Sequence, residues 1–148
     1  MEEIDYHWRC YLNGYEVYAN PKSIIYHLGG GTLNYQSTYK TYLNHRNSLL
    51  LLLSNYNIIN TFKFFIPRLF MEIISCTKDL ISLRILHSFA QIRAVVWIIT
   101  HPHIIIRRRS FMKKIRKISD KKLLEDIIFS KSIVYQYFIK NKKKYHSL

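Results

Sequence analysis

Three groups of residues have the types and spacing to do chemistry. Glu2, Glu3 and Asp5 open the chain. His27 leads through Leu28 into Gly29-Gly30-Gly31-Thr32. Asn44-His45-Arg46-Asn47 precedes a run of leucines. A carboxylate at a helix start can take a proton from a hydroxyl. Acids in a first turn also simply oppose the helix dipole, and the residues alone leave both readings open. An imidazole can bind a divalent metal, and glycine amides can approach a phosphate closely. A histidine at a strand end is otherwise a packed or solvated residue, and a glycine run is otherwise a loop. No Gly-Lys-Ser/Thr follows the run, so it is not a Walker loop. Arginine's fork suits phosphate oxygens, yet Arg46 equally fits a polar stripe opposite the leucines.

Local elements must position these groups. Ile4, Trp8, Tyr11 and Leu12 fall at i, i+4, i+7 and i+8, with Asp5 and Arg9 as a supporting i, i+4 pair. A helix from about Glu2 to Leu12 follows, stopped by Asn13-Gly14. Tyr15–Asn20 and Ser23–Leu28 read as two short strands joined at Asn20-Pro21-Lys22. His27 then stands at a strand end, about to enter the glycine loop. A second helix is expected from Thr38 to about Tyr56. A longer helical tract runs from about Thr61 to Thr100, with a break expected at Ile66-Pro67. Pro102 should end it. Ser119 or Asp120 can cap a further short helix to about Phe129, and Ile133–Ile139 fits a strand or a helix.

The totals bound the class. The 148 residues fit one domain or a piece of one, and 49% hydrophobic residues with 15% aromatics argue against disorder. The net charge of +14 is uneven. Residues 1–37 carry Glu2, Glu3, Asp5 and Glu16 against Arg9 and Lys22, so the positive excess lies entirely in residues 38–148. That field favours phosphates, nucleic acid or an acidic lipid surface. Nucleic acid rests on charge alone, since no zinc-finger spacing, RNP pattern or helix-turn-helix is visible. Arg107–Lys117 beside Ile104–Ile106 suits an anionic membrane surface, or a solvated basic face. Cys10 and Cys76 form no disulfide framework and no zinc spacing, which points to a reducing compartment. The acidic start MEEIDYHW is not a signal peptide, and no apolar run approaches a membrane span.

In order and spacing, the three groups resemble the C-terminal half of the catalytic domain of family 2 glycosyltransferases. The similarity is greatest to rhamnosyltransferase-like bacterial enzymes of cell-surface polysaccharide assembly. It is carried by Glu2-Glu3-Ile4-Asp5…Arg9, Gly14-Tyr15, Pro21, Tyr26-His27-Leu28-Gly29-Gly30-Gly31-Thr32 and Tyr42…Arg46-Asn47, over about residues 1–55. The basic helices and the Ser132–Phe138 segment resemble that group's usual tail.

The resemblance implies the C-terminal portion of an α/β GT-A fold. Within this chain that means mainly α-helix plus one two-stranded β unit near the N-terminus. Residues 1–56 would complete a catalytic domain, and 57–148 would form a basic helical extension. It implies sugar transfer with inversion from a nucleotide diphosphate sugar to a saccharide or lipid-linked acceptor, in the cytoplasm and peripherally at the inner membrane face. Glu3, with Glu2 as second candidate, would be the base. His27 would help hold Mg²⁺ or Mn²⁺ or the diphosphate. Arg46, Gly29 and Gly30 would face the diphosphate, and Trp8 and Asp5 the acceptor. The family's nucleotide-binding half precedes this region and carries an Asp-x-Asp motif, which occurs nowhere here. The chain is therefore expected to be a fragment with little or no activity alone.

Overall fold

The computed structural model describes residues 2–26, 34, 36–128 and 133–142. Among them six α-helices run in order: α1 (Glu2–Leu12), α2 (Thr38–Asn55), α3 (Ile58–Ile81), α4 (Ile85–Thr100), α5 (Pro102–Ile115) and α6 (Asp120–Asp126). A wide helical turn, Tyr135–Ile139, follows, with the Lys140 N–H donating to the Tyr135 carbonyl at 3.0 Å.

Helix α2 is the axis of the fold. It packs most extensively on α4, and also on α5, α3 and α1. The sequence explains this: Tyr42, Leu49, Leu50 and Leu51 are all buried, so α2 is apolar on several sides. Ala90 and Ala94 on α4 are small enough to let the Tyr42 ring in. Farther along, Leu49 and Leu50 meet Ile98, with Phe65, Ile104 and Ile105 closing the cluster. A separate cluster of Leu12, Met112 and Leu123 joins α1, α5 and α6.

Helix α1 covers the residues its periodicity indicates, but the two-stranded unit is overturned. The chain from 15 to 20 and from 23 to 26 is irregular, and no strand or sheet occurs among the described residues. The expected α/β GT-A fragment is accordingly corrected to a small helical domain. The turn at Asn20–Ser23 does form, with the Lys22 N–H on Asn20 Oδ1 and the Ser23 N–H on the Asn20 carbonyl, both at 3.0 Å. What fails is the pairing. Tyr18, Ile24, Ile25 and Tyr26 are exposed, the last at 96%. An isolated two-stranded ribbon with nothing packed on it is marginal in water.

The break expected at Ile66-Pro67 falls elsewhere. Helix α3 runs straight through Pro67. Pro67 and Lys63 are both exposed, so water can take the carbonyl bond that the proline leaves unmade. The stop comes at Leu83, in the left-handed region at φ 57°. The Leu83 N–H donates to the Leu80 carbonyl (3.0 Å) and the Arg84 N–H to the Asp79 carbonyl (2.8 Å), the pairing of a Schellman cap. Pro102 breaks the chain as expected and then opens α5 at its first turn, where its missing N–H is harmless. The α4 and α5 axes bend by 69° there. Ser119 caps α6, its Oγ accepting from the Lys122 N–H at 3.3 Å.

Candidate functional site

The acidic first turn divides into two roles. Glu2 and Glu3 are exposed in the first turn of α1. The Glu2 carboxyl is held below the usual carboxylate range, chiefly because its own backbone N–H donates to it. Asp5, one turn on, is enclosed. It accepts from Arg108 at 2.7 Å and pairs with Arg9 at 3.1 Å, and its other oxygen accepts from Asn55 Nδ2 at 3.0 Å. One carboxylate thus ties α1 to the end of α2 and the middle of α5. The far end of α1 is fixed too, since the Lys117 and Ile118 N–H groups both donate to the Leu12 carbonyl (2.7 and 3.1 Å). These bonds satisfy a carbonyl that a helix end otherwise orphans.

Trp8 lies inward rather than towards an acceptor. It packs on the Leu12–Met112–Leu123 cluster and meets the Tyr56 ring edge-on at 4.8 Å. Tyr56 in turn packs on Phe64 at 4.9 Å. Burial, with Asp120 nearby, pushes its phenol up to about 12.

Arg46 sits in a cation–aromatic stack. Its guanidinium lies 5.2 Å from the Tyr42 ring centre and 5.0 Å from that of Trp97. Arg93 lies over Tyr42 at 4.8 Å, and His101 stacks on Trp97 at 4.5 Å. Nε and Nη2 of Arg46 both donate to Asn47 Oδ1, at 3.0 and 2.8 Å. Stacking and bonding together fix the plane of the fork, which is what recognition of a planar or tetrahedral anion needs.

The structure does not bring Arg46 and the acidic turn together. Asp5 meets α2 at Asn55, and Arg46 lies upstream of Asn55 by roughly 13 Å along the helix at ~1.5 Å per residue. His27, Gly29 and Gly30 lie outside the described residues. No group of three or more His, Cys, Asp or Glu side chains able to hold a metal occurs among the described residues. The buried carboxylates there are already engaged: Asp5 as above, Glu72 by Arg68 and His45, Asp79 by Gln91 and Arg84, Asp120 by Arg116. The described residues therefore do not fit the Mg²⁺ or Mn²⁺ that the resemblance implies.

Sequence reasoning missed the inward-turned cations. Arg108 holds Asp5. Arg109 donates to the Leu53 carbonyl (2.6 Å) and to Thr61 Oγ1 (3.2 Å). Arg116 reaches both Asp120 and the Asn55 carbonyl. Asp120 further accepts from the Asn57 N–H (2.7 Å) and Asn60 Nδ2 (3.0 Å). Read as a run, Arg107–Lys117 looks like a solvated basic face. Nothing in the run itself marks these three arginines, because their partners Asp5, Leu53, Asn55 and Thr61 are remote in sequence. No family model, curated protein or solved structure matches the chain.

Proposed function

We propose that the chain supplies the acceptor-facing part of an inverting glycosyltransferase of cell-surface polysaccharide assembly, working in the cytoplasm at the inner face of the membrane. The observation that carries this reading is the division of the acidic turn. Asp5 is locked to Arg9, Arg108 and Asn55, so α1 is held in place while Glu2 and Glu3 stay exposed at its start. In this reading Glu3 takes the proton of the acceptor hydroxyl as its oxygen attacks the anomeric carbon and the bond to the nucleotide diphosphate breaks. Glu2, held below the usual carboxylate range, is the second candidate.

Radiolabelled sugar transfer tests the proposal. The chain alone is expected to give no turnover. Joined behind a nucleotide-binding half that carries an Asp-x-Asp motif, it is expected to turn over, and Glu3→Gln should lower the rate by roughly 10²-fold or more. Full activity in both Glu3→Gln and Glu2→Gln would overturn it.

A second reading is a membrane-surface module without catalysis. One observation favours it: Arg107, Lys113, Lys114 and Lys117 remain exposed along α5 and its exit. Vesicle binding that is indifferent to anionic lipid would dispose of this reading.

A further inference from the structure

The hairpin of α3 and α4 is amphipathic in the wrong sense for water. The buried residues of α3 are Thr61, Glu72 and Asp79, with half-buried Arg68 on the same stripe. Its exposed stripe is Ile59, Phe62, Ile66, Leu69, Phe70 and Ile73, at steps of three and four. Helix α4 repeats the inversion in part: it buries Ser88 and Gln91 beside Ala90, Ala94 and Ile98, and exposes Ile85, Phe89, Ile92, Val96 and Ile99. The two stripes meet along an open groove, where Leu69 and Ile73 face Ile92 and Val96. They therefore form one continuous apolar face, larger than the scattered apolar residues of an ordinary surface.

The inversion is stabilised from inside. Glu72 accepts from Arg68 and meets His45, while Arg68 also reaches Ser48 Oγ at 2.7 Å. Asp79 accepts from Gln91 Nε2 at 2.6 Å, and Ser88 Oγ donates to the Cys76 carbonyl at 3.1 Å. Most of these polar groups are thus matched to each other, Arg68 Nε and Gln91 Oε1 being the buried exceptions.

We infer that the outward face of the α3–α4 hairpin docks on an anionic lipid bilayer, lying in the interface rather than crossing it. Charge decides the occupant. Every exposed charged side chain of the hairpin is basic: Lys63, Lys78, Arg84 and Arg93. Both of its acids are buried. A bilayer surface places an apolar layer directly beneath a sheet of phosphates, and an apolar face with a purely cationic fringe matches that order. Lysine and arginine stems can lie along the apolar layer while their heads reach the phosphates. Among the described residues no single helix is long and apolar enough to cross a membrane; α4 and α5, bent by 69°, meet that length and composition only as a pair. The inference is independent of sugar transfer and of the α5 cations.

Co-sedimentation of the full chain with phosphatidylcholine–phosphatidylglycerol vesicles, against pure phosphatidylcholine, tests it. Binding is expected only with the anionic vesicles. The variant Ile66→Ser/Phe70→Ser/Phe89→Ser/Ile92→Ser should keep its helical circular dichroism and lose binding at least tenfold. Lys113→Glu/Lys114→Glu should still bind. A second probe does not depend on how the serine variant folds: Ile66→Trp should be quenched by brominated acyl chains. Four results would each overturn the inference: no binding to anionic vesicles, equal binding by a folded serine variant, loss of binding only on reversing the α5 lysines, or no quenching at Ile66→Trp. A stable dimer in sedimentation that the serine changes dissociate, without lipid binding, would assign the face to a second copy instead.

Discussion

Two regions of this molecule put opposite surfaces inward. Where α1, α5 and α6 meet, Leu12, Met112 and Leu123 are buried, and Glu2, Glu3, Lys113 and Lys114 face out. In the α3–α4 hairpin, Thr61, Glu72, Asp79, Ser88 and Gln91 are buried beside Ala90, Ala94 and Ile98, and most isoleucines and phenylalanines face out. Both regions bury acids and match them with arginines. The difference is what the remaining surface is suited to meet. The first region has an apolar interior. The second has a hydrogen-bonded interior and an unpartnered apolar exterior. Buried ion pairs are weak sources of net stability, but removing one partner is strongly destabilising. In this fold they act as locks that decide which helix face turns in.

The sharpest way to break this comparison is to remove a lock. Asp120 is 2% exposed and holds Arg116, the Asn57 N–H and Asn60. Asp120→Ala strands all three, and should lower stability by about 3–5 kcal/mol in urea denaturation. A loss under about 1 kcal/mol would mean that the aspartate is not a lock. Next in size is the contrast between two large aliphatic residues. Leu49→Ala, in the core beside Ile98, should lose about 2–5 kcal/mol. Ile66→Ala, at 70% exposure on the hairpin, should change stability by less than about 0.5 kcal/mol in water. Comparable losses at both sites would show that Ile66 is covered in solution.

Legibility in the sequence follows the same division. Helix α1 could be read because its apolar spacing, its i, i+4 ion pair and Asn13-Gly14 agree. Ser119 and Pro102 were readable as punctuation for a similar reason: side-chain chemistry sets their backbone position. Periodicity could not reveal that the hairpin is inverted. A stripe at steps of three and four has the same spacing whether it faces in or out. The strands failed because β-branched residues specify an extended chain only where something packs on it, and Ile24, Ile25 and Tyr26 have nothing. For the candidate site, Glu2 and Glu3 at an exposed helix start were legible. The conversion of Asp5 into a brace was not, because its partners Asn55 and Arg108 are remote in sequence.

The end of α3 was also illegible, and that gives a stabilising prediction. Leucine occupies the left-handed position where a cap of this type usually has glycine. The strain there is of order 1–2 kcal/mol, partly offset by glycine's greater freedom in the unfolded chain. Leu83→Gly should therefore raise stability by about 0.5–1 kcal/mol. Leu83 is itself 84% exposed beside the apolar face, so little packing is lost. A destabilised variant would show that Leu83 has a covering partner in solution.

An effect that appears only at high pH lies at the seam between the two regions. Tyr56 packs on Trp8 of α1 and Phe64 of α3, with Asp120 of α6 nearby. Its phenol ionises at about 12 in the folded chain, against an ordinary value near 10. The neutral form is thus favoured in the folded state, and the unfolded chain gives up the proton first. The stability this contributes is complete below pH 10 and is lost as pH rises through 12. Tyr56 is only half-buried, so solvent screening keeps the swing under about 2 kcal/mol. Phenylalanine cannot ionise. Denaturation of the wild type and Tyr56→Phe at matched pH should show the wild type losing ground to the variant across that window, with a constant difference below it. A difference that stays flat to pH 12 would mean that the seam is open to water and that Trp8 and Phe64 do not close over the ring.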